Sequence, residues 1–485
     1  MKFPFLNLLI LGVFFTHFNV YAVADSVVAE RNTPERNITE AKPVAAVEKL
    51  PDSPLPTSGR PMFLFEQDIR TNKILAEQAL NQAIERGDPN VMENMLKIYR
   101  TFPGTDPLLI TFAEAQIAKK RGDLERAIEL YRQILAQRPE LTPVRIQLAI
   151  SLFNDQQDNA AQDQFEKSAS DVNLPDDIRG LVNQYKLALE QRDDWQATLS
   201  VNYLRNENVN NVSSDVQIEG TAFRKGESML PKTAHGVSYF FDLERDFNLF
   251  NAHYLHLENM LYGKNYWDAH EYDDITNRTY LGYTHKSADQ KWSVLPFYER
   301  EWYGNHRYKW VSGVRGEFNQ WLNSNWQISG ALEYGKERYH QNAGLDGNVK
   351  VVSLTLLWRP IPTRYFWTGV DFTRDNAQTK YYSYDLKTAR IGWGEEWDWG
   401  ISSRLSFSVS KRDYKDNLVL GSVFYFSKAR EDEIYHVNAT VWKRDWHLWG
   451  ITPKLNYHWR KQHSNFDSLY SYSDKSVNVL FEKTF

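Results

Sequence analysis

The sequence of 485 residues contains no cysteine, and all 16 of its tryptophans lie at or after Trp195. Without cysteine the chain has no disulfide bonds, thiol catalysis, cysteine-based zinc site or lipidated N-terminal cysteine. The first 194 residues also contain only four of the 27 tyrosines. Tryptophan and tyrosine favour places where one end of the ring is apolar and the other is wet, and membrane interfaces are the largest such place. The composition therefore predicts a C-terminal part within a membrane and an N-terminal part outside it.

The chain also lacks a strong excess of either charge and any long apolar run. Its net charge is −5 with 25% charged residues, a balance that gives no indication of a nucleic-acid partner. No segment after the N-terminus approaches the length of about 18 apolar residues that a membrane-spanning helix needs. A closed β-barrel is the other structure that satisfies its backbone hydrogen bonds in lipid. We therefore expect residues 195–485 to form a transmembrane barrel.

The N-terminus has the pattern of a secretory signal over residues 1–24. Lys2 precedes an apolar stretch from Phe5 to Phe15, and small residues allow cleavage after Ala22 or Ala24. An uncleaved anchor is the alternative, although the apolar stretch is too short to span a membrane. Residues 25–61 have neither helical nor strand periodicity and several prolines, so they are predicted to be a flexible tether.

Residues 62–194 are predicted to be an all-α solenoid of tetratricopeptide repeats. The period is 34 residues, with Gly122 and Asp123 at the turn of the clearest unit and Pro139 at its end. The packing residues Ala115, Ala127 and Tyr131 recur one period later as Ala149, Ala161 and Phe165. A helix within 175–190 is expected to cap the array. A generic helical bundle is the alternative.

From Trp195 onward the apolar residues alternate with a period of two. Leu405, Phe407 and Val409, for example, are separated by serines. Such strands place one face in lipid and the other in a polar lumen, as in an outer-membrane barrel. Twelve to 16 segments of this kind are visible, and an even number near 14 fits the length. A soluble β-sandwich also alternates, but it does not account for strands that repeatedly end in tryptophan or tyrosine.

The final segment, 476–485, places Val477, Val479, Phe481 and Phe485 on one face. A terminal aromatic residue with alternating apolar residues resembles the signal that the outer-membrane insertion machinery recognises. Lys483 departs from that pattern, and an ordinary edge strand is the alternative.

No catalytic motif is present, so the sequence predicts neither an enzyme nor a cofactor or metal site. On a strand, His253 and His256 point to opposite faces and do not share a metal. The acidic residues Glu395, Glu396 and Asp398 are interpreted as a strand end or loop at the membrane interface rather than an acid–base pair. The charged run 430–433 is interpreted as a solvated loop.

A repeat array of this kind binds protein segments in its groove. The repeat register places seven residues on the groove-facing helices, and they either bind a client protein or pack the solenoid core. These residues are Leu109, Phe112, Gln116, Lys119, Ile146, Ile150 and Phe153.

The chain resembles the surface lipoprotein assembly modulator (Slam) family over almost its whole mature length. The resemblance rests on the signal, the short tether, the repeat segments Gly122–Tyr131 and Val144–Phe153, and the aromatic-rich C-terminal part. It implies a periplasmic repeat domain on a 14-stranded outer-membrane barrel. It further implies delivery of client lipoproteins, typically host iron- or haem-capture proteins, to the cell surface, or export of secreted haem-binding proteins.

The partners expected from this resemblance are the client, outer-membrane lipids, the barrel-insertion machinery and periplasmic chaperones. Two other functions fit the same architecture. A polysaccharide exporter also joins such repeats to a barrel, although it usually carries many more of them. A passive porin or nutrient receptor with an accessory repeat domain is the other.

Overall fold

The computed structural model describes residues 40, 41, 43, 44, 50–52, 66–420 and 424–485. The predicted signal at 1–24 lies outside the described residues. The described part of the N-terminal region is helical. Its helices are α1 (Glu66–Thr71), α2 (Lys73–Arg86), α3 (Pro89–Tyr99), α4 (Pro107–Arg121), α5 (Leu124–Gln137), α6 (Thr142–Asn154), α7 (Asp158–Ala169) and α8 (Asp176–Arg192).

The tight turn inside each repeat follows from local sequence. Gly122 ends α4 with a φ of 87°, and the Asp123 side chain then accepts a hydrogen bond from the Arg126 N–H to cap α5. Glycine takes left-handed backbone at little cost, and a short acidic side chain is a favoured N-cap. In the next repeat Gln156 adopts the same left-handed backbone, with a φ of 58°. The turn is thus kept in the repeat that lost its glycine.

The residues that define the repeat period form one continuous core. The small and aromatic residues named above, Ala115, Ala127, Tyr131, Ala149, Ala161 and Phe165, are all fully buried. Helix α8 covers the end of this core, where Tyr185 stacks on Phe165 with ring centroids 5.0 Å apart. The predicted solenoid and its capping helix are confirmed.

The C-terminal part is a closed antiparallel barrel of 14 strands, each paired with its neighbours in the sequence and β1 paired with β14. The strands are β1 (Gln196–Asn206), β2 (Ala234–Phe250), β3 (His253–Tyr266), β4 (Asp274–Lys286), β5 (Gln290–Tyr303), β6 (His306–Trp321), β7 (Trp326–Tyr339), β8 (Gly347–Ile361), β9 (Arg364–Ala377), β10 (Tyr384–Glu396), β11 (Ile401–Leu420), β12 (Phe424–Lys443), β13 (Ile451–Ser464) and β14 (Tyr472–Thr484).

The two faces of the strands differ as the sequence alternation predicts. On β8, Val352 and Leu354 are 49% and 45% exposed on the outside of the barrel, whereas Ser353 and Thr355 are 3% and 1% exposed inside it. An apolar outer face with a polar interior is the arrangement of a membrane barrel. Trp358 continues the outer face, and its ring stacks between two other outer aromatic rings.

The two ends of the barrel are unlike. Strand β1 begins directly after α8, so the repeats lie at the end formed by the short connections 251–252, 287–289 and 362–363. The opposite end carries the long connection 207–233, which packs on α9 (Asp467–Tyr470) through Ile218 and Leu469. Short turns face the periplasm in outer-membrane barrels and longer loops face outward. The repeat domain is therefore on the periplasmic side.

The described residues of the predicted tether contact both domains. Residues 50–52 lie on the repeats, and residues 40, 41, 43 and 44 lie inside the barrel, where Ala41 is buried. None of the helices in the described ranges is long and apolar enough to cross a membrane.

Candidate functional site

Five of the seven predicted groove residues pack the repeat domain. Ile146, Ile150 and Phe153 are fully enclosed in the solenoid core, and Leu109 and Phe112 are partly buried against it. The structure shows core packing at these positions, the second of the two alternatives. A role of these positions in client binding stays a prediction.

The other two groove residues are polar, and one of them binds the N-terminal segment. Lys119 is buried, and its ammonium lies 2.7 Å from the Asp52 carboxylate and 2.8 Å from Gln147 Oε1. Lys120 holds the other oxygen of Asp52 at 2.9 Å. Gln116 is buried on the preceding turn of the same helix. The repeats thus present two ammonium groups to an acidic side chain.

The capping helix binds the main chain of the same segment. The hydroxyl of the buried Tyr185 lies 3.2 Å from the Leu50 carbonyl and 2.9 Å from the Pro51 carbonyl, and it donates to them. We call this surface, formed by Lys119, Lys120 and Tyr185, the repeat clasp. Its groups bind an extended polypeptide through backbone carbonyls and one carboxylate.

The repeat clasp lowers the pKa of the Asp52 carboxyl. Partial burial alone would raise the pKa of this carboxyl, but the ammonium groups of Lys119 and Lys120 outweigh that and hold it below its ordinary value of 3.8. Burial lowers the pKa of Lys119 by more than Asp52 raises it.

Replacing Asp52 by asparagine is expected to loosen the segment from the repeats. Loss of the charge-assisted bonds at this half-exposed site should speed hydrogen–deuterium exchange of the segment by roughly tenfold. Asp176→Asn, at an exposed position of α8, is the matched control. Because the carboxyl pKa is lowered in the bound state, the attachment is complete above the ordinary value of 3.8 and is lost as the pH falls through the bound-state pKa. Equal exchange in wild type and Asp52→Asn would contradict the assignment.

The repeats dock on the barrel through a buried tyrosine at the periplasmic end of β3. The Tyr254 hydroxyl lies 2.7 Å from both the Gln156 carbonyl and the Asp158 carboxylate, and its proton is shared between them. Asp158 also pairs with Arg192 at 3.0 Å. The degenerate turn of the last repeat is thus the turn that meets the barrel. A non-glycine residue at that turn was the only sequence signal of this contact.

Tyr254→Phe is expected to weaken the docking of the repeats while keeping the packing of the ring. The substitution leaves a carbonyl and a carboxylate without their shared donor, which costs about 1–3 kcal/mol. We expect faster hydrogen–deuterium exchange at the N-terminus of α7 and an unchanged barrel. Tyr457→Phe, on the lipid-facing side of β13, removes the same hydroxyl group elsewhere. The same change in both variants would argue against the docking role.

The barrel interior is lined by buried ion pairs. Arg278 lies 3.3 Å from Glu299 and 2.6 Å from Glu333, and Arg315 lies 3.2 Å from Glu333 and 2.6 Å from Glu317. A charge in a low-dielectric interior is tolerated when it is paired in this way. The lumen wall is therefore polar and charged, and these charges lie in ion pairs with one another.

The interpretation of residues 430–433 as a solvated loop is wrong. These residues lie within β12, where Arg430 and Asp432 point into the barrel and are each 1% exposed. The Arg430 guanidinium pairs with Asp432 at 2.9 Å and lies 3.6 Å from the centre of the Tyr470 ring. A charged run indicates a loop in a soluble protein, but in a membrane barrel the alternate charges have a polar interior to face.

The acidic residues 395–398 are at a strand end, as predicted. Glu395 and Glu396 are the last residues of β10, and Asp398 lies in the turn that follows at the periplasmic end. Arg364 holds the Glu395 carboxylate through two hydrogen bonds of 2.8 and 2.6 Å. This carboxylate therefore supports the turn between strands.

The two histidines of β3 point to opposite faces, as predicted. His256 is buried inside the barrel and pairs with Asp246 at 2.7 Å, while His253 packs on His285 outside. In the parts of the chain that the structure describes, no group of three or more His, Asp or Glu side chains is arranged to hold a metal ion.

The last strand places the predicted insertion residues on the lipid-facing side. Val477, Val479, Phe481 and Phe485 are all exposed on the outside of the barrel. Residue Phe485 also closes the barrel, since its N–H donates to the Ala197 carbonyl at 2.8 Å. Their role in insertion stays a prediction.

A closed 14-stranded barrel with an apolar outer face, a charged interior and a tetratricopeptide-repeat domain at its short-turn end defines an outer-membrane protein with a periplasmic repeat domain. The family model described as "Surface lipoprotein assembly modifier" matches residues 195–485, and the model of its N-terminal TPR repeats matches residues 63–165. The chain belongs to the surface lipoprotein assembly modifier family.

The similarity to individual members extends over nearly the full length. A surface lipoprotein assembly modifier of Pasteurella multocida is 33% identical over 96% of this chain and 94% of its own. Surface lipoprotein assembly modifier 1 of Haemophilus influenzae is 32% identical over 87% of each chain. A hemophilin secretion modulator of Acinetobacter baumannii is 26% identical over 80% of this chain and 82% of its own. Members of this family act in the assembly of surface lipoproteins, and the family is not a known class of enzymes.

Proposed function

We propose that this protein carries client lipoproteins across the outer membrane to the cell surface. The repeats capture the client in the periplasm, and the barrel delivers it. The observation that carries this proposal is that the described residues of the N-terminal region contact both domains. Residues 50–52 lie on the repeat clasp, and residues 40, 41, 43 and 44 lie against the polar wall of the lumen.

The division of the chain follows this function. Residues 1–24 direct secretion, residues 25–61 link to the repeats, residues 62–194 bind the client and residues 195–485 form the passage. Folding of the client outside the cell supplies the direction of transport, since the sequence carries no nucleotide-binding motif.

The client is a protein of host iron or haem acquisition. The similarity to a hemophilin secretion modulator supports this class, because that relative's name describes secretion of a haem-related protein. We also propose that periplasmic chaperones hold the client before capture. We propose in addition that the outward residues of β14 bind the barrel-insertion machinery when this protein is itself inserted into the outer membrane.

The proposal is tested by surface display in cells that lack this chain. A co-expressed lipoprotein client is detected on intact cells with an antibody. The full chain should restore display, whereas a variant without residues 62–194 should not. Heat-modifiable migration of the barrel shows that the shortened variant is still inserted. If display survives the loss of the repeats, the capture step is wrong. Loss of surface polysaccharide in cells that lack this chain would favour a polysaccharide exporter. A large constitutive pore formed by the wild-type protein would favour a passive porin or nutrient receptor.

A further inference from the structure

The barrel wall binds Ala41 and Val44 through their main chain. The Ala41 N–H donates to Ser353 Oγ at 2.7 Å, and Thr355 Oγ1 donates to the Ala41 carbonyl at 2.6 Å. Gln327 binds Val44 in the same two-sided way. Its Oε1 accepts from the Val44 N–H and its Nε2 donates to the Val44 carbonyl, both at 3.0 Å. Both main-chain groups of two residues are thus satisfied by side chains of the wall.

Two arginines of the wall bind Glu40. Arg315 Nη2 donates to the Glu40 carbonyl at 3.1 Å, and Arg390 Nη1 lies 3.3 Å from the Glu40 carboxylate. We call Arg315, Gln327, Ser353, Thr355 and Arg390 the lumen clamp. It recognises the backbone of an extended peptide and one acidic side chain.

The lumen clamp is held in place before any peptide arrives. The buried Arg390 donates to the hydroxyls of Ser353 and Thr355 at 3.0 Å each, and it forms a two-pronged ion pair with Asp371 at 2.6 and 2.8 Å. Gly369 lies beneath the guanidinium, where a Cβ atom would come within 2.7 Å of Arg390 Cζ. Fixed donors and acceptors of this kind bind without first losing side-chain freedom.

The clamp also has room for other side chains. A cavity of about 120 Å³ lies beside Pro43 and Val44, and its other walls include the polar residues His256, Lys291 and Asn319. A peptide with larger side chains at these positions is accommodated without moving the strands. Main-chain recognition together with this spare volume allows binding that is tolerant of sequence.

We propose that the lumen clamp is a binding site for extended polypeptide, occupied at rest by residues 40, 41 and 44 and taken over during export by an extended segment of the client. The takeover rests on the proposed function. Val44 lies at Gln327, near the periplasmic start of β7, and Glu40 lies at Arg390 in the middle of β10. A client handed over from the repeats enters by the same path.

The first test separates main-chain from side-chain recognition in the full chain. Ala41→Pro with Val44→Pro removes the two N–H groups that the clamp binds. Ala41→Gly with Val44→Ala keeps them and trims side chains. In planar bilayers we expect wild type and the Gly/Ala variant to conduct equally little. The Pro variant should be open more often by a factor of roughly 10–30, at about fivefold per lost hydrogen bond. Equal behaviour of the two variants would overturn main-chain recognition.

The second test fills the vacated clamp with a probe. A synthetic peptide with the sequence of residues 38–46 is added to the open Pro variant on the periplasmic side. A second peptide of the same length has alanine everywhere except at the glutamate. We expect both to close the pore at similar concentrations. Closure by neither peptide, or only by the first, would refute a sequence-tolerant site.

The third test asks whether the client needs the clamp. Since the chain has no cysteine, Ala41→Cys with Ser353→Cys gives a single pair that an oxidant or a short bis-thiosulfonate links. Linking should block surface display in cells, and reduction should restore it to the level that the Ser353→Cys variant alone shows. Normal display by the linked protein would disprove the takeover. If wild type displays no client, the proposed function fails, and the two bilayer tests still decide on the clamp.

Discussion

Replacing Tyr131 by alanine is expected to unfold the repeat domain and abolish client display. The ring is fully buried at the centre of the solenoid core and contacts Phe112, with ring centroids 6.1 Å apart. Removal of a large buried aromatic side chain costs about 3–5 kcal/mol. A domain of this size should then lose more than about 10 °C of thermal stability. The helical far-ultraviolet circular dichroism signal of the full chain reports this transition, because the barrel contributes β-structure.

Tyr131→Phe is the matched control for this prediction. The Tyr131 hydroxyl is buried and has no hydrogen-bond partner among the described residues, so its removal is expected to leave stability unchanged or slightly raised. Burial also raises the pKa of this phenol well above its ordinary value. A loss of helical stability in Tyr131→Phe as large as in the alanine variant would show that the hydroxyl, and not the packing of the ring, holds the core together.

Replacing Arg278 by methionine is expected to destabilise the barrel strongly. This guanidinium lies between Glu299 and Glu333 and packs over the Phe297 ring, 3.9 Å from its centre. Removing one member of a buried charge network leaves carboxylates unpaired and costs about 3–5 kcal/mol. Heat-modifiable migration should be lost at a lower temperature, and the variant should unfold at lower urea concentration than wild type.

Arg300→Met provides the comparison on the neighbouring strand. Arg300 is exposed on the outer side of β5, where it contacts the Tyr298 hydroxyl at 3.0 Å. Substitution at an exposed position with one hydrogen bond should change stability by less than about 1 kcal/mol. A second variant, Arg278→Met with Glu299→Met, should recover part of the loss because one unpaired carboxylate is gone. A buried network would be contradicted if Arg278→Met and Arg300→Met destabilised the barrel equally and the double variant recovered no stability.

The resting molecule holds its own N-terminal segment at two places where a client would bind. At both places the contacts are backbone carbonyls or N–H groups and one acidic side chain, Asp52 on the repeats and Glu40 in the lumen. Such contacts are individually weak and exchangeable. A competing segment of similar chemistry displaces them without unfolding either domain.

Much of the fold was open to prediction from the sequence. The 34-residue period placed Tyr131 and Phe165 in the core because the spacing of small and large residues along paired helices is local. The alternation from Trp195 onward separated lipid-facing from lumen-facing residues, and Leu405 and Phe407 are indeed exposed on the outside. A strand number near 14 followed from the visible segments, the chain length and the even number of strands in such barrels.

The candidate site was largely beyond prediction. Gln327, Ser353, Thr355 and Arg390 carry no motif, and they meet because β7, β8 and β10 curve around one lumen. The run 430–433 has the composition of a loop, and only barrel closure reveals an interior for its alternate charges. Short polar residues on separate strands acquire a common role only when strand register brings them together.

By itself, the sequence determined the two environments of this protein, its repeats, its alternating strands and the boundary at Trp195. These features can be recognised from residue periodicity and composition, because each of them is defined within one helix pair, one strand or one stretch of the chain. The tertiary structure alone decided that Gln156 and Asp158 meet Tyr254, that Lys119 binds Asp52, and that Ala41 and Val44 bind the lumen wall. Those contacts join residues far apart in the chain, so their geometry depends on how the barrel closes and how the repeats dock on it.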